Sequence, residues 1–193
     1  MTSKQLLEEI KAITATNIEV VRKRIIFLNE DQKSWKPNKN AWSINEIFAH
    51  LNEFVRFYHP VFKNAIATTK HNDPTENYLP SPLGKSAWKS MKLGNAKNIK
   101  RKFKSARSYN PSIDKSLIKG DDVVNFESAQ KELIDIFESA QTVNLRKVKV
   151  PVSISKIIRF RLGDALLFVT YHNERHMQQA LNVVNHPLFP RKK

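Results

Sequence analysis

Residues 42–51 read Trp-Ser-Ile-Asn-Glu-Ile-Phe-Ala-His-Leu, and this stretch decides the fold prediction. Ser43 and Glu46 have the spacing of a capping box, in which each side chain accepts a hydrogen bond from the backbone N–H of the other residue. We therefore predict a helix from Ser43 to about Ala67. Its inward face is expected to carry apolar side chains at helical spacing: Ile44, Ile47, Leu51, Phe54, Tyr58 and Val61.

Three further segments repeat apolar residues at helical spacing. The first runs from Lys4 to Leu28, and another runs from Val123 to Leu145. The last begins at about Ile158 or Leu162 and ends at Val184, before Asn185 and Pro187. With the helix that begins at Ser43, the sequence predicts four long amphipathic helices.

The second and third of these helices are separated by a long crossover, residues 69–122. It contains several Pro and Gly residues and little periodicity, although residues 86–91 and 98–106 could form short helices. Residues 148–152 are predicted to form a loop or a short extended piece, and other strand signals are nearly absent. The sequence thus indicates the all-α class, with one four-helix bundle domain over residues 1–193.

The composition excludes several classes of protein. A chain of 193 residues with 40% hydrophobic and 26% charged residues is typical of a globular domain and not of a disordered chain. Since cysteine is absent, the chain has no disulfide, thiolate ligand or cysteine nucleophile. Glu8 and Glu9 interrupt the region where a signal peptide needs an apolar core, and no later stretch suits a membrane span. We expect a cytoplasmic protein with no membrane partner.

The formal net charge of +15 is unevenly distributed, because residues 85–119 contribute +10 and the rest of the chain is close to balanced. One hypothesis is therefore a basic helical module that binds nucleic acid or another anionic partner without catalysis. We favour a solvated crossover, since aromatic residues are sparse there and no nucleic-acid motif accompanies the charge. A third interpretation is that the crossover attracts an anionic cosubstrate to a nearby site.

Histidines supply the second functional hypothesis. His172 and His176 are four residues apart, which places both imidazoles on one helix face, and this face is the apolar stripe of the last helix. His50 lies at the edge of the inward face of the second helix. Three converging imidazoles would suit an open metal site, whereas the ordinary alternative is a set of hydrogen-bonded core histidines. The remaining histidines are interpreted as structural or solvated: His59, His71 and His186.

Two motifs resemble those of the DinB-like superfamily. The first is the Trp-Ser helix start followed by His-Leu in residues 42–51. The second is Leu-Gly-Asp-Ala in residues 162–165, followed by His-Asn-Glu-Arg-His and Gln179 in residues 172–179. The resemblance extends over residues 1–185, and the two motifs occur in the family's order.

The resemblance implies an up-down-down-up four-helix bundle with a divalent metal, zinc or nickel, held by His50, His172 and His176. Some members of the family transfer a low-molecular-weight thiol to electrophiles, and others are isomerases, so membership does not name a reaction. A small-molecule substrate and a transferase or hydrolase activity are the resulting expectations. A homodimer is compatible with the sequence, although no exposed apolar stripe indicates one.

Three residues near the motifs bear on the chemistry. Many relatives carry an acid at the position of Asn52. This chain therefore lacks a carboxylate there that could support the metal site. A hydrolase would need a general base, and Glu46 and Glu174 are the candidates. Glu46 is better explained by the capping box and Glu174 by a solvent-facing position, so we assign neither as the base.

Overall fold

The computed structural model of the chain describes residues 1–94, 99 and 105–191. These residues form a mostly helical fold with one small antiparallel sheet. A π-helical turn, Val21–Ile25, extends the first helix, and the crossover contains two short 3₁₀ turns. The elements are α1 (Ser3–Val20), α2 (Glu30–Ser34), α3 (Ile44–Thr68), α4 (Pro82–Met91), α5 (Asp122–Ala140), β1 (Lys149–Val152), β2 (Ser155–Arg161) and α6 (Leu162–Val184).

The predicted capping box at the start of α3 is confirmed. Ser43 Oγ accepts from the Glu46 backbone N–H at 3.3 Å, and Glu46 Oε2 accepts from the Ser43 N–H at 3.0 Å. The Glu46 side chain is buried and also pairs with Lys36 and Lys115. Burial alone would raise the pKa of Glu46, but hydrogen bonds from Lys115 and Lys36 lower it. The cap thus fixes the start of the helix that carries His50.

Several predicted boundaries are corrected. The last helix begins at Leu162, and the earlier start at Ile158 is wrong because residues 155–161 pair with β1 as a hairpin. α5 ends at Ala140, where turns follow, and not at Leu145. α2, which the sequence did not predict, is a short helix with its own capping box between Asn29 and Gln32.

The crossover is attached to α6 by a buried carboxylate. Asp164 accepts hydrogen bonds from Tyr78 Oη at 2.6 Å and from Ser81, through the backbone N–H at 3.0 Å and Oγ at 2.7 Å. Gly84 packs so closely that a Cβ there would lie 2.2 Å from Asp164 Cγ. α4 contains the short helix expected at 86–91 and begins four residues earlier, at Pro82, whereas the helix expected at 98–106 falls largely outside the described residues.

The four long helices contact one another in a ring, since α1 and α3 each contact both α5 and α6. Two apolar clusters fill the interior, one around Phe62 and Phe137 and the other around Phe48 and Phe126. No helix of the described chain combines the length and apolar character needed to cross a membrane. Between the clusters lies a layer of buried polar side chains: Thr14, Asn17, His50, Gln130, His172 and Asn173.

Candidate metal centre

α3 and α6 bring three histidines together in this polar layer. His50 and His172 are 3% and 5% exposed, and His176 is half-buried. One nitrogen of each ring lies within 4.8 Å of the corresponding nitrogens of the other two. The ring centroids are separated by 4.6 to 5.1 Å. The inward direction predicted for all three imidazoles is confirmed.

The outer ring nitrogens of two histidines are held by hydrogen bonds. His50 Nδ1 donates to the backbone carbonyl of Tyr109 at 2.5 Å, because a carbonyl can only accept. His176 Nδ1 lies 2.9 Å from Gln179 Oε1 and donates to it. In a neutral imidazole with its proton on Nδ1, Nε2 carries a lone pair. Both rings therefore present a ligand atom toward the centre of the group.

The spacing of one pair of ligand atoms matches that of a metal site, and all three atoms lie within 4.8 Å of one another. Nε2 of His50 and Nε2 of His172 lie 3.2 Å apart. Two imidazole nitrogens bound at ~2.0–2.1 Å to one tetrahedral ion are separated by about 3.3 Å. The residues present thus suit a divalent cation that accepts nitrogen ligands, such as zinc or nickel.

All three imidazoles are kept neutral by their surroundings. Burial lowers the pKa of His50 to about 4, although the Tyr109 carbonyl acts in the opposite direction. Burial lowers the pKa of His172 and His176 well below the usual value, and repulsion between the neighbouring rings adds to the effect. Metal binding requires neutral imidazole, so the three rings are in the binding form at neutral pH.

Aromatic rings enclose the group on two sides. Phe54 stacks on His172 with centroids 3.9 Å apart, and Phe168 lies on the same ring at 6.1 Å. Trp42 stacks on His176 at 5.9 Å and also contacts His50 at 4.9 Å. These contacts restrict rotation of the imidazoles and keep the site apolar outside its nitrogen ligands.

The other three histidines lie apart from this group. His59 is buried between α3 and α5, where its Nδ1 donates to Glu132 Oε2 at 2.5 Å. His71 and His186 are half-buried, and His186 Nδ1 accepts from the Leu188 backbone N–H. The structural interpretation of these residues agrees with their contacts.

Neither acid considered as a base belongs to the histidine group. Glu46 is held by the α3 cap and two lysines, and Glu174 is half-buried on α6. Asn52 is buried on α3, where its side-chain amide donates to Asp122 Oδ1 at 3.1 Å and to the Asp122 carbonyl at 2.9 Å. Asn52 therefore links α3 to the start of α5.

Sequence reasoning missed the role of Tyr109 in the site. Its carbonyl orients His50 and also accepts from Ser105 Oγ at 2.9 Å, while its ring packs edge-on against Phe54. Tyr109 is 59 residues from His50 along the chain, and it contacts His50 through a main-chain atom. No side-chain pattern in the sequence signals such a contact.

Comparison with known families agrees with this geometry. A family model described as the DinB superfamily matches residues 13–180, which include all three histidines. The chain therefore belongs to the DinB superfamily. Neither a curated protein nor a solved structure gives a significant match.

Proposed function

We propose that this protein is a metal-dependent enzyme in which His50, His172 and His176 hold a divalent cation, zinc or nickel. The observation that carries the proposal is the convergence of three neutral ring nitrogens from two helices at one buried point. Without a cation, the rings share the hydrogen bond between Nε2 of His172 and Nε2 of His50 at 3.2 Å, whereas a bound cation would engage one nitrogen of every ring. The group contains three ligands among the described residues, which matches an open, catalytic type of site.

The residues around the group have separate roles in this proposal. Tyr109 and Gln179 hold the Nδ1 protons of His50 and His176, so that Nε2 of each ring is available. Phe54 and Trp42 keep the rings in place and limit the access of water. A bound cation would lower the pKa of a thiol or a water molecule at its remaining coordination position.

Within this class we propose transfer of a low-molecular-weight thiol to a small electrophile. A thiol at the cation would release its proton to solvent and attack the electrophile as the thiolate, so that a C–S bond forms while the displaced group leaves with its bonding electron pair. Hydrolysis would draw on water, whose unperturbed pKa lies much further above neutral than the ~8.5 of a thiol, and Glu46 is already engaged by Ser43 and two lysines. The smaller pKa shift that a thiol needs favours thiol transfer over hydrolysis.

We also propose that the whole chain forms a single up-down-down-up bundle. Contacts between α3 and α6 run in opposite directions along the two helices, as do those between α1 and α5, whereas those between α1 and α6 run in the same direction. The supporting pairs are His50 with His176, Tyr58 with Phe168, Lys11 with Glu138, Arg22 with Glu127, Glu9 with Tyr171, and Arg24 with Asn185.

A nucleic-acid module is the less supported function. In the basic segment 85–119, Lys92 pairs with Glu9 at 3.1 Å and Lys115 pairs with Glu46. These lysines attach the crossover to the helices and neutralise acids of the same chain. Most of the densest run of charge, residues 97–104, falls outside the described residues.

Metal analysis of protein purified without a histidine tag tests the proposed site. After incubation with zinc or nickel and removal of the excess, we expect about one equivalent of metal per chain. The His172→Ala variant should retain none, whereas the His59→Ala variant, which also removes a buried imidazole, should retain the full amount. A wild-type protein without metal, or a His172→Ala protein with it, would contradict the proposed site.

The reaction is tested separately from the site. Metal-loaded protein is assayed with a panel of small thiols and a chromogenic electrophile, with His172→Ala as the control. We expect conjugation that depends on both the metal and His172. If the protein binds metal but conjugates no thiol, the thiol-transfer proposal is wrong and the metal site still stands.

A further inference from the structure

The β1–β2 hairpin presents isoleucine side chains to solvent. Val150, Val152 and Phe160 point inward and belong to the core. Ile154 in the turn is 79% exposed and Ile157 in β2 is 91% exposed. Exposed apolar patches mark interaction sites, and the end of this hairpin concentrates two such side chains within four residues of sequence.

The backbone of the hairpin holds these isoleucines outward. In the strand register, Pro151 pairs with Arg159 and Val152 pairs with Ser155, so residues 156–158 have no partner in β1. Ser155 Oγ accepts from the backbone N–H groups of Ile157 and Ile158, at 3.3 and 3.2 Å, and supports this bulge. The exposure of Ile157 is therefore part of the folded hairpin, because bulges redirect the side chains they contain.

A basic groove lies along the same hairpin. Its volume is about 470 Å³, and it separates the C-terminal part of α3 from the hairpin. Lys147, Lys149 and Arg159 line it, together with Thr68 and Pro151. Lys147 pairs with Asp73 at 2.8 Å, whereas Lys149 and Arg159 have no acidic partner within the described ranges. The groove thus offers two unneutralised cations to an anionic group.

The surrounding sequence forms a second basic segment. Residues 146–161 contain six Lys and Arg residues and no acid, which gives +6, while the chain outside this segment and residues 85–119 sums to −1. The net charge of +5 that remains outside residues 85–119 therefore comes from this segment. The hairpin combines positive charge with exposed apolar side chains on one element.

We propose that this hairpin docks the protein on the surface of a bilayer that contains anionic phospholipid. Ile154 and Ile157 enter the apolar boundary, while Lys149 and Arg159 bind the phosphate-bearing headgroups at the groove. The headgroups of an anionic bilayer carry negative charge and its interior is hydrocarbon. Such a surface therefore matches both the groove cations and the exposed isoleucines. Nucleic acid would match the cations but would leave the isoleucines exposed to water.

This proposal is independent of the proposed enzyme activity. The sequence predicts no membrane partner because it lacks a spanning segment. Docking on a bilayer surface needs no such segment.

Vesicle sedimentation with the full chain tests the proposal. The probes are vesicles of phosphatidylcholine alone and of phosphatidylcholine mixed with phosphatidylserine, at physiological salt. We expect the wild-type protein to partition preferentially to the anionic vesicles. The Lys149→Gln/Arg159→Gln variant should bind them roughly 30-fold more weakly, since each cation near the surface adds about 1 kcal/mol. The Ile154→Ser/Ile157→Ser variant should lose at least about tenfold.

Matched controls separate docking from general charge or apolar effects. Lys85→Gln/Lys89→Gln removes the same charge from the other basic segment, and Phe27→Ser removes an apolar side chain that is also 79% exposed. Both controls should bind anionic vesicles as the wild type does. The proposal is overturned if the controls weaken binding as much as the hairpin variants do, or if neutral vesicles bind equally well. It is also overturned if vesicles do not bind while duplex DNA binds through Lys149 and Arg159.

Discussion

His50 and His59 lie on the same helix and are almost equally buried, yet their surroundings differ. His50 donates from Nδ1 to the Tyr109 carbonyl, and its Nε2 faces His172 Nε2 at 3.2 Å. His59 donates from Nδ1 to Glu132, and its Nε2 is buried without a hydrogen-bond partner among the described residues. Burial alone therefore does not make a metal site. The proposal of a metal site rests instead on the convergence of three ring nitrogens.

The two environments also differ in charge. Glu132 pairs with Lys63 as well as with His59, so the region around His59 contains charges of both signs. The group around His50 consists of neutral imidazoles and aromatic rings. A cation bound there would keep its charge and remain electrophilic, because no carboxylate of the group neutralises it. The region around His59 has its own balance of charge and needs no ion.

Removal of His172 should have the largest effect on the site. At a zinc concentration about 100-fold above its Kd, metal binding should raise the free energy of unfolding of the wild-type protein by about 2.7 kcal/mol. The His172→Ala variant should gain none of this stabilisation, because two imidazoles do not form the site. Thermal unfolding with and without zinc measures the difference. If zinc stabilised the wild-type protein and the His172→Ala variant equally, the histidine group would not bind the metal. His50 would then differ from His59 in no functional respect.

Loss of the Gln179 side chain should have a smaller effect. Gln179 orients His176, and the loss of such a partner weakens metal affinity by about 10- to 100-fold. The Gln179→Ala variant should therefore bind zinc more weakly in a competition titration with a chelator. Gln178→Ala is the matched control, since Gln178 bonds Asn182 on the exposed side of α6. If the two variants have the same affinity, Gln179 does not support the site.

Acid should affect the site only at low pH. Because burial lowers the pKa of His50 to about 4, its lone pair stays available below the usual histidine pKa of about 6.5. Metal affinity should thus be nearly constant from neutral pH to about 5 and should fall as the pH approaches 4. Titration of zinc affinity against pH measures this. A loss of affinity centred near 6.5 would indicate solvated histidines.

The same pKa values predict the stability of the metal-free protein. Between the lowered folded-state pKa and the unfolded value of about 6.5, the unfolded chain binds more protons than the folded chain. The free energy of unfolding should therefore decrease as the pH falls from about 6.5 to about 4. Denaturant unfolding across this range measures the slope, and the His50→Ala variant should show a smaller one.

Removal of His59 should leave the metal site unchanged. The His59→Ala variant loses a buried hydrogen bond to a charged partner, so its free energy of unfolding should be lower than that of the wild type by about 1–3 kcal/mol. Its zinc affinity should equal that of the wild-type protein. Denaturant unfolding and zinc titration measure the two quantities. A change in affinity without a change in stability would place His59 in the site and would contradict the comparison.

Short sequence patterns were sufficient to predict where α3 begins and which side chains of α3 and α6 face inward. The Ser43–Glu46 capping box located the start of α3, and the apolar stripes of α3 and α6 placed His50, His172 and His176 on inward faces. These signals are strong because a helix repeats every 3.6 residues and its start needs particular side chains.

Contacts distant in sequence were not predictable. The Tyr109 carbonyl that orients His50 is a main-chain atom, and every residue carries one, so it leaves no trace in the sequence. The apolar residues from Ile157 to Phe160 fit a helix as well as a strand. Only the pairing with β1 shows that they form a strand. The Asp164 contacts with Tyr78 and Ser81 likewise depend on how the crossover returns to α6.

A crystal structure of the zinc-soaked protein, with anomalous scattering recorded at the zinc absorption edge, tests the central claim most directly. We expect a single strong anomalous peak about 2.0–2.1 Å from Nε2 of His50, His172 and His176, with His59 unliganded. A peak elsewhere, or three imidazoles at the observed spacing with no ion between them, would contradict the account.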